Sequence, residues 1–100
     1  MNLRQLKAFQ AVCRTGSITR ASELIHLSQP ALTRQIQELE SYCGCKLFER
    51  TRHGIVLTDE GELFQGRAEE MLALAERTQR ELREAGGFTG GIVRICLLYT

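Results

Sequence analysis

The sequence predicts a mainly α fold, with three short helices, a small β-hairpin and one long helix in chain order. Three observations carry that prediction. Apolar side chains recur three or four positions apart over most of residues 1–86, the spacing that gathers them on one helix face. Only "KLFERTRHGIVLT", residues 46–58, has two short apolar-polar segments around a His-Gly pair, which suits a hairpin. Serine, threonine and glycine stand where such helices must start and stop.

The first helix is expected over residues 2–14, with Leu3, Leu6, Phe9 and Cys13 on its apolar face. Gly16 follows its end, where a left-handed conformation is easiest for glycine, and Ser17 can cap the next helix. That second helix, about 18–26, is expected to turn Ile18, Ala21, Leu24 and Ile25 inward. His26 would close it, where a cation favours the dipole.

Only three residues lead into "SQPALTRQIQELE" and the third helix, 28–43. Pro30, the one proline in the chain, starts this helix rather than breaking it. With Ser28 as N-cap, Pro30 takes the second helical position, where no backbone donor is needed and its fixed φ fits. Leu32, Ile36, Leu39 and Cys43 then form one apolar stripe, and Gly44 ends the helix. The opposite side carries Pro30, Arg34, Gln37 and Ser41, with Thr33 on its flank.

Thr58 can cap a fourth helix whose first turn holds Asp59 and Glu60, acids that the dipole favours there. It should run to about Ala85, before Gly86-Gly87. Phe64, Ala68, Met71, Ala75, Thr78, Leu82 and Ala85 alternate spacings of four and three, a heptad seam. Such a helix is roughly 40 Å long, too long for so small a domain to cover. The same helix of a second chain is its natural partner, with some packing on the first helix in addition. The closing "GGIVRICLLYT" reads as a hinge and the first strand of a further domain. The expected organisation is thus 1–58, a helical and hairpin domain; 59–86, a linker and dimerisation helix; and 87–100, hinge and first strand of a further domain.

Charge divides along the same boundary. Residues 1–58 carry eight Lys/Arg against four Glu, a net +4, and residues 59–86 carry four Arg against eight acids, a net −4. A basic block followed by an acidic one suggests that the first meets a polyanion. The acids Glu38 and Glu40 lie in the C-terminal half of the third helix and would repel phosphates. The docking end must therefore be the N-terminal half, with Gln29, Pro30, Thr33 and Arg34 and the positive end of the dipole. Two short helices, a three-residue turn, a third helix with a polar front and a basic hairpin make a winged helix-turn-helix pattern.

Other classes find little support. No apolar run approaches the ~18 residues of a membrane span, and the first residues lack the apolar block of a secretory signal, so a cytoplasmic location without membrane contact is expected. Cys13, Cys43, Cys45 and Cys96 include no CxxC pair, and reduced, mostly buried thiols are the expectation. No metal or cofactor is expected in this chain. The two histidines and four cysteines show no nucleophile–base or metal spacing, which argues against an enzyme. The rival that stays open is a helical dimerisation or adaptor module that does not bind DNA.

The runs "LRQLKAFQAV", "GSITRASELIHLSQPALTRQIQELE" and "LFERTRHGIVLTDEG" closely resemble the N-terminal domain of LysR-type transcriptional regulators. The resemblance covers residues 1–86, and "SQPALTRQI" joined to "LFERT" and "LTDEG" at these spacings is its most specific part. It implies a winged helix-turn-helix followed by a long dimerisation (linker) helix, and a dimer on interrupted dyad sites in double-stranded DNA. Helix 28–43 would read the major groove through Ser28, Gln29, Pro30, Thr33, Arg34 and Gln37. The wing around Arg50, Arg52 and His53 would approach the adjacent minor groove. The dimer seam would be Phe64, Ala68, Met71, Ala75, Thr78 and Leu82. Full-length members carry a C-terminal domain for a small-molecule inducer and usually form tetramers, and RNA polymerase is a further candidate partner. Four positions depart from the usual pattern. His53 stands for a common arginine, Cys43 for leucine, Cys45 for valine or threonine, and Ser22 for alanine.

The residue types suit DNA reading. A glutamine such as Gln29 presents donor and acceptor together to an adenine edge, and Thr33 can bond a base or a phosphate. The Pro30 ring can pack on a thymine methyl. Arg34 can fork to guanine or clamp a phosphate, or lie as a solvated charge paired with Glu38, its i+4 neighbour. Arg50 and Arg52 are expected on one strand face beside the turn, laid on phosphates.

Overall fold

In the computed structural model, which describes residues 1–86, the order of elements is α1 (Leu3–Thr15), α2 (Ile18–Leu24), α3 (Gln29–Cys43), β1 (Phe48–Thr51), β2 (Gly54–Leu57) and α4 (Asp59–Gly86). Two compact units divide the chain, Met1–Glu69 and Glu70–Thr100. The first holds the short helices, the hairpin and the start of α4; the described part of the second is the continuation of that helix. The hinge and strand expected at 87–100, and with them Cys96, lie outside the described residues.

Local chemistry sets each boundary. Asn2 opens α1 through a capping box: the Gln5 N–H donates to Asn2 Oδ1 (2.9 Å) and the Asn2 N–H to Gln5 Oε1 (3.2 Å). Gly16 closes it at φ 65°. Ser17 caps α2 by accepting from the Arg20 N–H (3.2 Å), and Ser28 caps α3 by accepting from the Ala31 N–H (3.2 Å). Pro30 sits in the first turn of α3, as its missing donor allows. Gly44, at φ 75°, ends that helix.

The second helix corrects the expectation. It stops at Leu24 rather than 26, and Leu24 is 52% exposed instead of turned inward. Ser22 is buried in its place, its hydroxyl donating to the Thr19 carbonyl (2.7 Å). The early stop is a backbone motif. His26 adopts φ 57°, its N–H donates to Glu23 O (3.4 Å), and the Leu27 N–H donates to Ser22 O (2.9 Å). This is the six-to-one and five-to-two closure of a Schellman end, with histidine where glycine is usual. His26 therefore ends α2 through its backbone conformation.

The core forms around α1, which packs on α2, α3 and β2. Its buried face is wider than the expected stripe, because Ala8, Ala11 and Val12 join Leu6 and Phe9 inside. The small alanines let neighbouring helices approach from more than one side. From α3, Leu32, Ile36 and Leu39 complete the core, as their spacing predicts. Phe9 is fully buried, with its ring centroid 5.1 Å from Phe48 of β1 and 4.9 Å from Phe64 of α4, the latter edge-on.

The hairpin pairs Phe48 with Leu57, Glu49 with Val56, Arg50 with Ile55 and Thr51 with Gly54. Its two-residue turn, Arg52-His53, is held by Thr51, whose hydroxyl donates to Gly54 O (2.9 Å) and accepts from the His53 N–H (3.2 Å). Gly54 has φ 118°, and a Cβ there would stand 2.9 Å from the Gly16 carbonyl oxygen. That same carbonyl accepts from the Ile55 N–H (3.2 Å), tying the hairpin to the α1–α2 turn. Thr58 joins hairpin to α4: its hydroxyl accepts from the Gly61 N–H (3.0 Å) and donates to Lys46 O (2.7 Å). Gly61 is buried against the backbone of Leu47, whose carbonyl a Cβ would overlap.

Candidate nucleic-acid interface

Of the residues expected to read DNA, Gln29, Thr33, Gln37 and Arg50 are brought together along grooves between α3 and the wing. Because the Ser28 cap fixes where α3 begins, Gln29, Pro30, Thr33, Arg34 and Gln37 fall on its solvent side, opposite Leu32, Ile36 and Leu39. All are exposed except Thr33, which is half-buried. Ser28 is itself exposed, with its hydroxyl engaged in the cap.

Two adjoining grooves join that helix to the hairpin. One lies between α3 and β1, bordered by Thr33, Gln37, Glu40, Lys46, Glu49 and Arg50, with Ile36 and Phe48 among its apolar lining. The other gathers Gln29, Thr33 and Arg50 with Ser17 and Thr19 of the α2 start. Thr33 and Arg50 border both. Arg50 shares the strand face of Phe48, two residues before it, and this puts it on the groove side.

Arg52 is placed differently from the expectation. It lies in the turn rather than on the strand, so it does not share a strand face with Arg50. A two-residue hairpin turn leaves β1 at Thr51, one residue too early for that pairing. Arg52 and His53 form the exposed tip of the wing and border neither groove. Pro30 and Arg34 also lie outside the grooves, on the open face of α3.

Arg34 Nε is 3.8 Å from Glu38 Oε1, and the two side chains are 79% and 52% exposed. An exposed pair of this kind contributes little and is readily exchanged for a stronger anion. Glu38 also accepts from Gln5 Nε2 (3.4 Å), which links α1 to α3.

Glu40 departs most from its sequence reading. Its side chain is only 11% exposed, and its carboxylate accepts from the Leu47 N–H (2.7 Å) and the Phe48 N–H (3.4 Å) while Lys46 Nζ lies 3.7 Å away. The acid is thus turned into its own domain at the root of the wing. No residue pattern announces this, because two of its partners are backbone groups. Ser17 and Thr19 were likewise not among the expected site residues; the capping chemistry of Ser17 was the available signal.

The dimer-seam residues split. Ala68 has no accessible surface in the single chain and Phe64 packs edge-on against Phe9, so both serve the chain's own core. The helix begins on its own domain, with Gly61 buried against the Leu47 backbone. Met71, Ala75 and Leu82 are partly exposed, and Thr78 is exposed.

Cys13, Cys43 and Cys45 are free and partly buried. Burial, and then the nearby Glu69 carboxylate, push the Cys13 thiol up to about 12. Burial, and then Cys45, raise Cys43. Both are held as thiols rather than as nucleophilic thiolates. Among the described residues no group of His, Cys, Asp or Glu is arranged to hold a metal ion, and no helix is long and apolar enough to cross a membrane.

Residues 3–62 match the family described as bacterial regulatory helix-turn-helix protein, lysR family. The chain belongs to the LysR family. Its LysR-family relatives include the HTH-type transcriptional regulator TfdT of Cupriavidus pinatubonensis (strain JMP 134 / LMG 1197), 44% identical over 95 residues, 95% of this chain and 42% of TfdT. The HTH-type transcriptional regulator ClcR of Pseudomonas putida is 40% identical over 100 residues, 100% of this chain and 34% of ClcR. The chain therefore spans less than half the length of these relatives. Among solved LysR structures, the CbnR_DBD–DNA complex matches with a TM-score of 0.82 and 43% identity, covering 86% of this chain and 99% of that one. The BenM_DBD complex with catB site 1 DNA matches with a TM-score of 0.81 and 34% identity, covering 86% of this chain and 97% of that one.

Proposed function

We propose that this chain is the sequence-specific DNA-binding part of a bacterial transcriptional regulator, acting on double-stranded DNA in the cytoplasm as a dimer. The observation that carries the reading is the meeting of Gln29, Thr33 and Gln37 of α3 with Arg50 of β1 around two adjoining grooves. Likeness to CbnR and BenM DNA-binding domains seen with DNA supports it. A polar helix face beside a basic hairpin suits a duplex: α3 enters the major groove with its leading turns, and the wing reaches over the intervening strand. Gln29 and Gln37 offer paired donor and acceptor groups to base edges, while Arg50, Arg52 and His53 meet phosphates and the adjacent minor groove.

Met71, Ala75, Thr78 and Leu82 are the seam for the second copy. Two domains linked this way read two half-sites and gain affinity by avidity. The small-molecule inducer belongs to a domain beyond these residues, and tetramer formation and contact with RNA polymerase belong to the longer protein.

Selection of duplexes from a random pool gives half-site sequence and spacing together. With the selected duplex, Arg34→Ala is expected to lower affinity by about tenfold or more, the loss of a charge-assisted contact worth roughly 1–3 kcal/mol. A phosphate contact would show as a reduced salt slope, a base contact as relaxed preference at one position. Equal affinity of mutant and wild type would remove Arg34 from the interface. Recovery of no duplex, with no salt-sensitive binding to DNA of any sequence, would favour the adaptor module instead.

A further inference from the structure

We infer that Glu40 is the positioning residue of the wing, setting the angle at which Arg50, Arg52 and His53 meet DNA; the inference rests on the DNA-binding reading above. Glu40 lies ten residues after Pro30 on the recognition helix, three after Gln37. From α3 it reaches the segment leading into the wing: Leu47 donates its N–H at 2.7 Å, Phe48 at 3.4 Å, and Lys46 Nζ stands 3.7 Å away. Phe48 is the first residue of β1 and Arg50 follows two positions later on the same face. A carboxylate that holds these N–H groups therefore refers the start of the strand carrying Arg50 to the recognition helix.

The other strand of the wing has its own anchor, the Gly16 carbonyl that accepts from the Ile55 N–H at 3.2 Å. Ile55 is the partner of Arg50 in the hairpin. One anchor refers β2 to the α1–α2 turn; the other refers β1 to α3. The Thr58 bonds to Lys46 and Leu47 and the Phe9–Phe48 ring contact hold the segment leading into β1 to α4 and α1. Removing the Glu40 bonds takes away its hydrogen-bonded reference to α3, so the spacing between reading helix and wing loosens while the hairpin stays paired and docked.

The choice of an acid has a physical reason. The carboxylate borders the groove between α3 and the wing, along which a phosphodiester strand would pass. Glu49 of β1, exposed, already places one carboxylate on that groove beside Lys46 and Arg50, and a second, uncompensated anion would oppose binding further. Two N–H donors and the Lys46 ammonium, 3.7 Å away, face the Glu40 carboxylate, and a charge-assisted bond holds the backbone more firmly than a neutral acceptor would.

A double-mutant cycle tests this with the duplex selected by the wild-type chain. Glu40→Ala is expected to lower affinity by about tenfold and to reduce the salt slope, as fewer phosphates are neutralised. In a background already carrying Arg50→Ala and Arg52→Ala, it is expected to cost less than about twofold, since the wing contacts are already gone. Glu40→Gln, which keeps an acceptor oxygen for the Leu47 N–H, should recover most of the lost affinity. If Glu40→Ala fails to fold by circular dichroism, the Gln variant in both backgrounds carries the test, with a smaller loss confined to the intact wing. An equal loss in the two backgrounds, or no loss in the first, overturns the inference. Failure of the DNA-binding reading looks different: the wild-type chain itself would select no duplex.

Discussion

His26 shows how much one residue's conformation can decide. At φ 57° it occupies the left-handed region, where an L side chain costs roughly 1–2 kcal/mol relative to glycine. The two backbone bonds of the Schellman end hold it there and set the three-residue turn before Ser28. His26→Gly is expected to raise stability by about 1 kcal/mol, read as a higher urea midpoint with unchanged m. A lower midpoint would mean that the imidazole makes contacts outweighing the strain.

Cys13 carries a pH dependence whose sign follows from its burial. Its thiol is pushed from 9.0 to about 12 in the fold, so the folded state keeps a proton that the unfolded chain releases. Stability is unaffected while both states stay protonated below pH 9, and it falls as pH rises from 9 toward 12. Denaturant titrations near pH 8 and near pH 10 should show a loss in the wild type that Cys13→Ala reduces. An identical loss in both proteins would place the alkaline sensitivity elsewhere. Glu69, the second cause of the shift, acts in the same direction and does not alter the sign.

Among the elements, helix ends were the most legible in the sequence, because capping is local chemistry. Ser17, Ser28, Thr58, Gly16 and Gly44 each do what their type and place imply. Periodicity was less reliable in α2, where seven residues give too few turns to fix a face and Leu24 emerges exposed. The hairpin is legible in its two apolar-polar segments, but its two-residue turn is not, and so the structure puts Arg52 in the turn rather than on the strand face its spacing predicts. In α4 the seam mixes two roles that spacing cannot separate, since Phe64 and Ala68 serve the home domain. The reason lies at Gly61, whose missing side chain admits the Leu47 backbone and brings the start of α4 onto the first unit. Gly61→Ala is expected to cost about 1–3 kcal/mol through overpacking, despite alanine's better helix propensity. A thermal melt at or above the wild-type midpoint would show that α4 can shift without loss.

For the whole molecule, residues 1–58 form a basic block and residues 59–86 an acidic one, which matches the different work proposed for the two lengths of chain. The candidate contacts with DNA belong entirely to the first, while Leu82, far along α4, belongs to the proposed seam. This separation makes the two functions independently breakable. Leu82→Glu places a charge on an apolar, partly exposed position of a helix already rich in acid. It is expected to raise the concentration needed for dimerisation, seen by sedimentation, while the domain keeps its melting behaviour. On a duplex with one half-site its affinity should match the wild type. On a duplex with two half-sites it should fall by a factor on the order of 10²–10⁴, the range that linkage of two modules supplies. Equal loss on both duplexes would mean that the substitution damages the reading domain, and an unchanged dimer would remove Leu82 from the seam. Loss on the double site alone is the outcome that joins α4 to operator recognition, because no residue of that seam needs to touch DNA for it to occur.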